Sequence, residues 1–286
     1  SLMTEVRPIS KTPDGVAIQP RNMNFELQKC LASDWADNDP FLTAVFNAMS
    51  MSFPSGERNF IDSVRHYQDR ITDEKLLNDV KGFYKQEGIH SREHRKYNKI
   101  LCEQRGYDYD DLESVFLRRI EMGNNDPRIT PRVILASTVS VEHFTASFGE
   151  SLLEGRILKN IDGPIGELWQ WHALEELEHK SVAFDVYEQI GGSHEMRTRV
   201  MRLAMVTLLI DTLRVTFKIL RHDKQMWTWS TLKGLSKFLF SKAGFIRAHV
   251  PAYKDFFRKD FHPWDLDNRD LLEQWQGKLE LTAVAA

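Results

Sequence analysis

The run from Trp171 to His179 constrains the chain more than any other stretch. On a helix, positions four and then three residues apart stack on one face, because 3.6 residues complete a turn. His172, Glu176 and His179 therefore form one polar stripe, two imidazoles around a carboxylate. Leu174, Leu177, Val182 and Phe184 supply enough apolar surface to pack the segment inside a protein. A buried stripe of this kind is costly unless compensated, and a metal ion held between helices is the usual compensation. The segment thus asks for partner helices carrying further ligands.

Hydrophobic periodicity predicts those helices. One runs from about residue 41 to 67, interrupted at Pro54 and Gly56 so as to aim Glu57 inward. A second spans 73–106, from an acidic first turn at Asp73 and Glu74 to Gly106. A short helix over 110–122 follows, then a long one over 131–154, opened by Thr130 as N-cap with Pro131 behind it. The stripe lies on the next, 164–190, which stops at Gly191 and Gly192. No strand-like alternation and no fixed-period repeat occurs, so the expected fold class is all-α. Residues 1–40, with Pro8, Pro13, Pro20 and Pro40, read as an irregular arm strapped over the core. Residues 41–192 would form a four-helix bundle, and 193–286 a helical region packed on it.

Mid-helix carboxylates and imidazoles complete the pattern. The first long helix offers Glu57, the second Glu87-x-x-His90, the third Glu142, and the fourth Glu176-x-x-His179 with His172 added. One Glu from each of two helices and one Glu-x-x-His from each of the other two is the carboxylate-bridged dimetal arrangement of helix bundles. Glu87 and Glu176 are the expected bridges and the residues expected to carry catalysis, Glu57 and Glu142 the terminal carboxylates. His172 is either a seventh ligand or a brace for one. Glu175 and Glu178 point off the stripe and are expected to be solvated or salt-bridged. Gly88 suggests close approach of a neighbouring helix or of substrate, His94 a brace or access-route residue, and His143 a bond to a neighbouring helix.

Phe53-Pro54-x-Gly56-Glu57, Glu87-x-x-His90, Glu142-His143 and the His172-to-His179 run resemble the predicted metal-dependent hydrolases with a ferritin-like fold. The resemblance covers most of the chain and implies a ferritin-like four-helix bundle with additional C-terminal helices. The ligand spacing is also similar to that of the di-iron arylamine N-oxygenases. That comparison implies a site of four carboxylates and three histidines (Glu57, Glu87, His90, Glu142, His172, Glu176 and His179) holding two metal ions. Iron is the first expectation, with manganese or zinc open.

Two reactions fit such a site. A bundle-core iron pair activates dioxygen, and this oxidase or oxygenase reading is the favoured expectation because the donor set matches such sites. The alternative is a metal-dependent hydrolase using a metal-activated hydroxide. A variant of it reads His90-Ser91-Arg92-Glu93-His94 as the H-x-x-E-H signature of a zinc peptidase, which leaves Glu57 and the stripe unexplained. Phe53, Phe60, Phe83, Tyr84, Phe144 and Trp169 near the ligands suggest a small apolar or aromatic substrate.

The remaining features exclude more than they assign. A formal net charge of -3 points to no nucleic acid and no obligatory anionic membrane partner. Two cysteines, Cys30 and Cys102, are too few for a disulfide framework, and with the polar opening they suggest a cytoplasmic protein. Residues 197–222 are apolar, but Arg199, Arg202, Asp211, Arg214 and Lys218 deny them the run of about 20 apolar residues that a membrane span needs. The aromatic and basic stretch 227–262 reads as extra helices on the bundle, or as a peripheral lipid contact. A homodimer is left open.

Overall fold

The computed structural model describes residues 9–28 and 30–279, and these are all-α, with no strand among them. The helices are α1 (Pro40–Arg65), α2 (Glu74–Arg105), α3 (Tyr109–Asn125), α4 (Pro131–Leu153), α5 (Gly163–Glu178), α6 (Val182–Gln189), α7 (His194–His222), α8 (Trp229–Phe240), α9 (Phe245–Asp255) and α10 (Arg269–Leu279). Residues 1–8 of the expected arm and 280–286 of the C-terminal region lie outside the described residues. No described helix is long and apolar enough to cross a membrane.

Local chemistry sets most boundaries. Asp39 caps α1, its carboxylate accepting the Phe41 and Leu42 N–H groups, and Pro40 fills the first turn. Asp73 caps α2, which ends at Gly106 in the left-handed region at φ 69°. Thr130 caps α4 as expected.

Two expectations need correction. The interruption at Pro54 does not occur, because α1 runs unbroken through it. Proline has no N–H for the carbonyl four residues back, so Ser50 loses its intrahelical partner. Asn98 on α2 supplies the missing donor, its Nδ2 lying 3.0 Å from the Ser50 carbonyl oxygen. The expected single helix 164–190 instead breaks into α5 and α6, with His179 as the C-cap of α5. Neither glycine nor proline stands at the break. Tertiary contacts occupy it: Lys180 reaches the Leu266 carbonyl and Asn268, and Ser181 meets Thr12.

Helices α1 and α2 pack as one pair and α4 and α5 as another, while α7 lies against α1 and α4. A Cβ on Gly149 of α4 would fall 2.8 Å from the Ala173 carbonyl of α5. The two backbones therefore meet there, which brings the helices of Glu142 and Glu176 together. The arm lies along α2. A Cβ at Gly82 would fall 2.7 Å from the Ile18 carbonyl, Arg92 donates to the Met23 carbonyl, and Arg105 donates to that of Leu31.

Gly88 is another correction. It is exposed, and a Cβ there meets nothing within 4 Å, so no neighbouring helix packs against it. Gly88→Ala should therefore stabilise the fold by up to about 1 kcal/mol, read as a shift of the denaturant midpoint. A loss of stability would mean that the position is packed after all.

Candidate metal centre

All seven carboxylates and imidazoles singled out by spacing converge in the structure. They form two overlapping groups, Glu57 with His90, His172 and Glu176, and Glu87 with Glu142, Glu176 and His179. Within each group the donor atoms lie inside 4.8 Å of one another. None of the seven is more than 3% exposed. Glu176 belongs to both groups, its Oε1 lying 3.0 Å from His172 Nε2, 3.5 Å from His90 Nδ1 and 3.6 Å from His179 Nε2. Glu87 also spans the pair: Oε1 is 3.3 Å from His179 Nε2, and Oε2 is 3.4 Å from His90 Nδ1.

Buried polar atoms are normally satisfied, yet here many are orphaned together. Glu57 Oε1, both oxygens of Glu87 and of Glu142, Glu176 Oε2, His90 Nδ1 and His179 Nε2 have no hydrogen-bond partner. Burial pushes Glu142 well above the ordinary carboxylate range, with Glu176 and Glu87 adding to it, and it raises Glu57 to about 7. Two divalent cations among neutral imidazoles would balance the four carboxylates and give every orphaned atom a partner. The donor set fits such a pair.

Each histidine is braced at its other ring nitrogen, which selects the tautomer it presents to the centre. His90 Nε2 donates to Glu175 Oε2 at 2.8 Å, which leaves Nδ1 as the nitrogen facing inward. His179 Nδ1 donates to Gln86 Oε1 at 2.7 Å, leaving Nε2 free. His172 Nδ1 lies 2.6 Å from His94 Nε2. Behind it the chain continues from His94 Nδ1 to Ser50 Oγ, whose hydroxyl donates to Asn98 Oδ1. Asn98 is oriented in turn by the Ser50 carbonyl that Pro54 frees. Burial and the neighbouring His172 hold His94 well below the usual histidine range, as a neutral acceptor requires. Aromatic rings seat the imidazoles as well, Trp171 against His90, Phe53 against His172 and Phe83 against His179.

Glu175 and Glu178 are the largest departure from the sequence reading. Both are salt-bridged as expected, but they are fully buried rather than solvated. Arg21 of the arm reaches both, Nη1 lying 3.1 Å from Glu175 Oε1 and Nη2 2.8 Å from Glu178 Oε2. Glu175 holds His90. Glu178 holds Gln86, which holds His179. A single guanidinium therefore braces a histidine in each ligand group. Nothing in the composition of the arm distinguishes Arg21 from its other basic residues.

The H-x-x-E-H alternative disperses in the structure. His90 faces the centre and His94 braces His172, whereas Glu93 turns to the arm and accepts from the Phe25 N–H and Arg92 Nε. His143 does bond a neighbouring helix, donating from Nε2 to the Ala252 carbonyl of α9.

Beside the centre lies a cavity of about 470 Å³. Its wall includes Phe53, Gly56, Glu57 and Phe60 of α1, Phe144 of α4, Met205 of α7 and His249 of α9. Among the seven candidate ligands, Glu57 alone lines it. Phe53, Phe60 and Phe144 thus face this space, while Phe83 and Trp169 pack against imidazoles. Tyr84 bonds Gln68 instead.

Fold and site together define an all-α protein with a buried carboxylate–histidine cluster suited to metal. The model of the predicted metal-dependent hydrolases matches residues 19–267, and the chain belongs to that family. No curated protein and no solved structure matches it.

Proposed function

We propose that the protein is a dinuclear metal-dependent hydrolase. The observation that carries this reading is the pair of buried ligand groups sharing Glu176, in a chain of a hydrolase family. Glu57, His90, His172 and Glu176 would hold one ion, and Glu87, Glu142, Glu176 and His179 the other. Such a pair polarises a substrate oxygen and acidifies a water at neutral pH. The chain's own part is positional. Ser91 Oγ donates to Glu57 Oε2, fixing the carboxylate at the cavity, and the braces on His90, His172 and His179 hold each ring with its other nitrogen turned to the centre. The family description thus favours hydrolysis over the oxidation expected from ligand spacing. Dioxygen activation stays as the second reading because of the donor set: four carboxylates and three imidazoles in an apolar bundle interior suit iron.

One sample tests both readings. Metal content is measured by plasma mass spectrometry, and turnover is followed on neutral p-nitrophenyl esters and, after anaerobic reduction, by oxygen uptake. Hydrolysis abolished by a chelator and restored by divalent metal supports the proposal. Oxygen uptake by an iron-loaded, hydrolytically inert protein replaces it with the second reading.

A further inference from the structure

Gly56 sits inside α1 one residue before Glu57, where glycine weakens a helix relative to alanine. A Cβ built on it meets nothing within 4 Å, so close packing does not require the glycine. The residue lies in the cavity wall, and a side chain there would take up cavity space. The volume falls in the range of about 300–1,000 Å³ seen for small-molecule sites.

The wall is apolar, and most of its charge is already matched. Arg119 of α3 is bound to Asp211 of α7 through two contacts of 2.8 and 3.0 Å. His143 and His249 give ring N–H groups to the carbonyls of Ala252 and Phe245. Glu57 is the remaining carboxylate of the wall.

From this geometry we infer that the cavity is the substrate chamber of the centre. Its occupant is a neutral molecule with an apolar hydrocarbon body, whose reacting group lies at Glu57. An anionic body would find no unpaired cation in the wall, a cationic one would find only the carboxylate that the centre itself uses, and either would lose its hydration on entering. The glycine at position 56 keeps the space beside Glu57 open. An apolar cavity of this kind binds small hydrocarbons directly. The inference rests on Glu57 being a metal ligand for where the reacting group lies and for the exclusion of a cationic body.

The test uses the full chain without added metal and trifluoromethylbenzene as probe, followed by fluorine NMR. Saturable binding is expected, with 4-(trifluoromethyl)benzoate binding at least about tenfold more weakly. Gly56→Leu fills the chamber and should weaken the neutral probe by about tenfold or more while raising the melting temperature. Ser147→Leu, elsewhere in the wall, should weaken it too, and Gly88→Ala should not. No saturable binding, equal binding of the benzoate, or unchanged binding in both leucine variants overturns the inference. Metal content of the same samples reports separately on the proposed centre, so the two readings fail independently.

Discussion

Glu176→Gln should cost the protein both ions of the proposed pair together. Glu176 is the residue shared by the two ligand groups, and its Oε1 lies within 3.6 Å of all three candidate histidine donors. The substitution keeps the shape of the side chain and removes one negative charge, so each ion loses a ligand and part of its charge balance at once. Glu57→Gln touches one group only and should deplete one ion preferentially. Glu175→Gln removes the brace on His90 rather than a ligand, and a loss of about 10- to 100-fold in affinity is expected for that kind of change. Metal per chain after dialysis against a graded chelator, with helicity checked by circular dichroism, separates the three. If Glu176→Gln kept one ion in full, Glu176 would not be a bridge.

Arg21→Met is the second large effect, and it acts from outside the ligand set. The substitution leaves Glu175 and Glu178, both fully buried, without the guanidinium that faces them. Removing one partner from a buried ion pair costs about 3–5 kcal/mol, because the remaining charge stays buried and unpaired. Melting should fall by on the order of 10 °C. Metal affinity should fall with it, since the braces on His90 and His179 both depend on those glutamates. Arg92→Met provides the contrast. That side chain is half exposed, and its pair with Glu93 is worth about 1 kcal/mol or less. Equal destabilisation by the two variants would show that the arm is merely glued to α2 and that Arg21 has no special part in the centre.

The residues of the cluster were legible because their spacing is a property of one helix at a time. His172, Glu176 and His179 share a face whatever the rest of the chain does, and so do Glu87 and His90. Helix ends with a local chemical signal were legible as well, as Asp73, Gly106 and Thr130 show. The break at His179 was not, since the contacts that occupy it come from Thr12, Leu266 and Asn268. Pro54 misled for the same reason: the donor that rescues its helix is on α2.

Glu175 and Glu178 show where helix reasoning runs out. A helix covered on one side has a solvent face, and they would occupy it. Every residue of α5 from Leu168 to Glu178 is buried, because the arm and α10 close over that face. By itself, then, the sequence determined an all-α fold and the residue types and spacings of a candidate dimetal cluster, because helical pitch sets both locally. Only the tertiary structure decided which imidazole nitrogen faces the centre, that Arg21 balances the charge behind it, and that the cavity reaches Glu57. Those depend on partners as distant as the 154 and 157 residues separating Arg21 from Glu175 and Glu178, and no local periodicity encodes such a pairing.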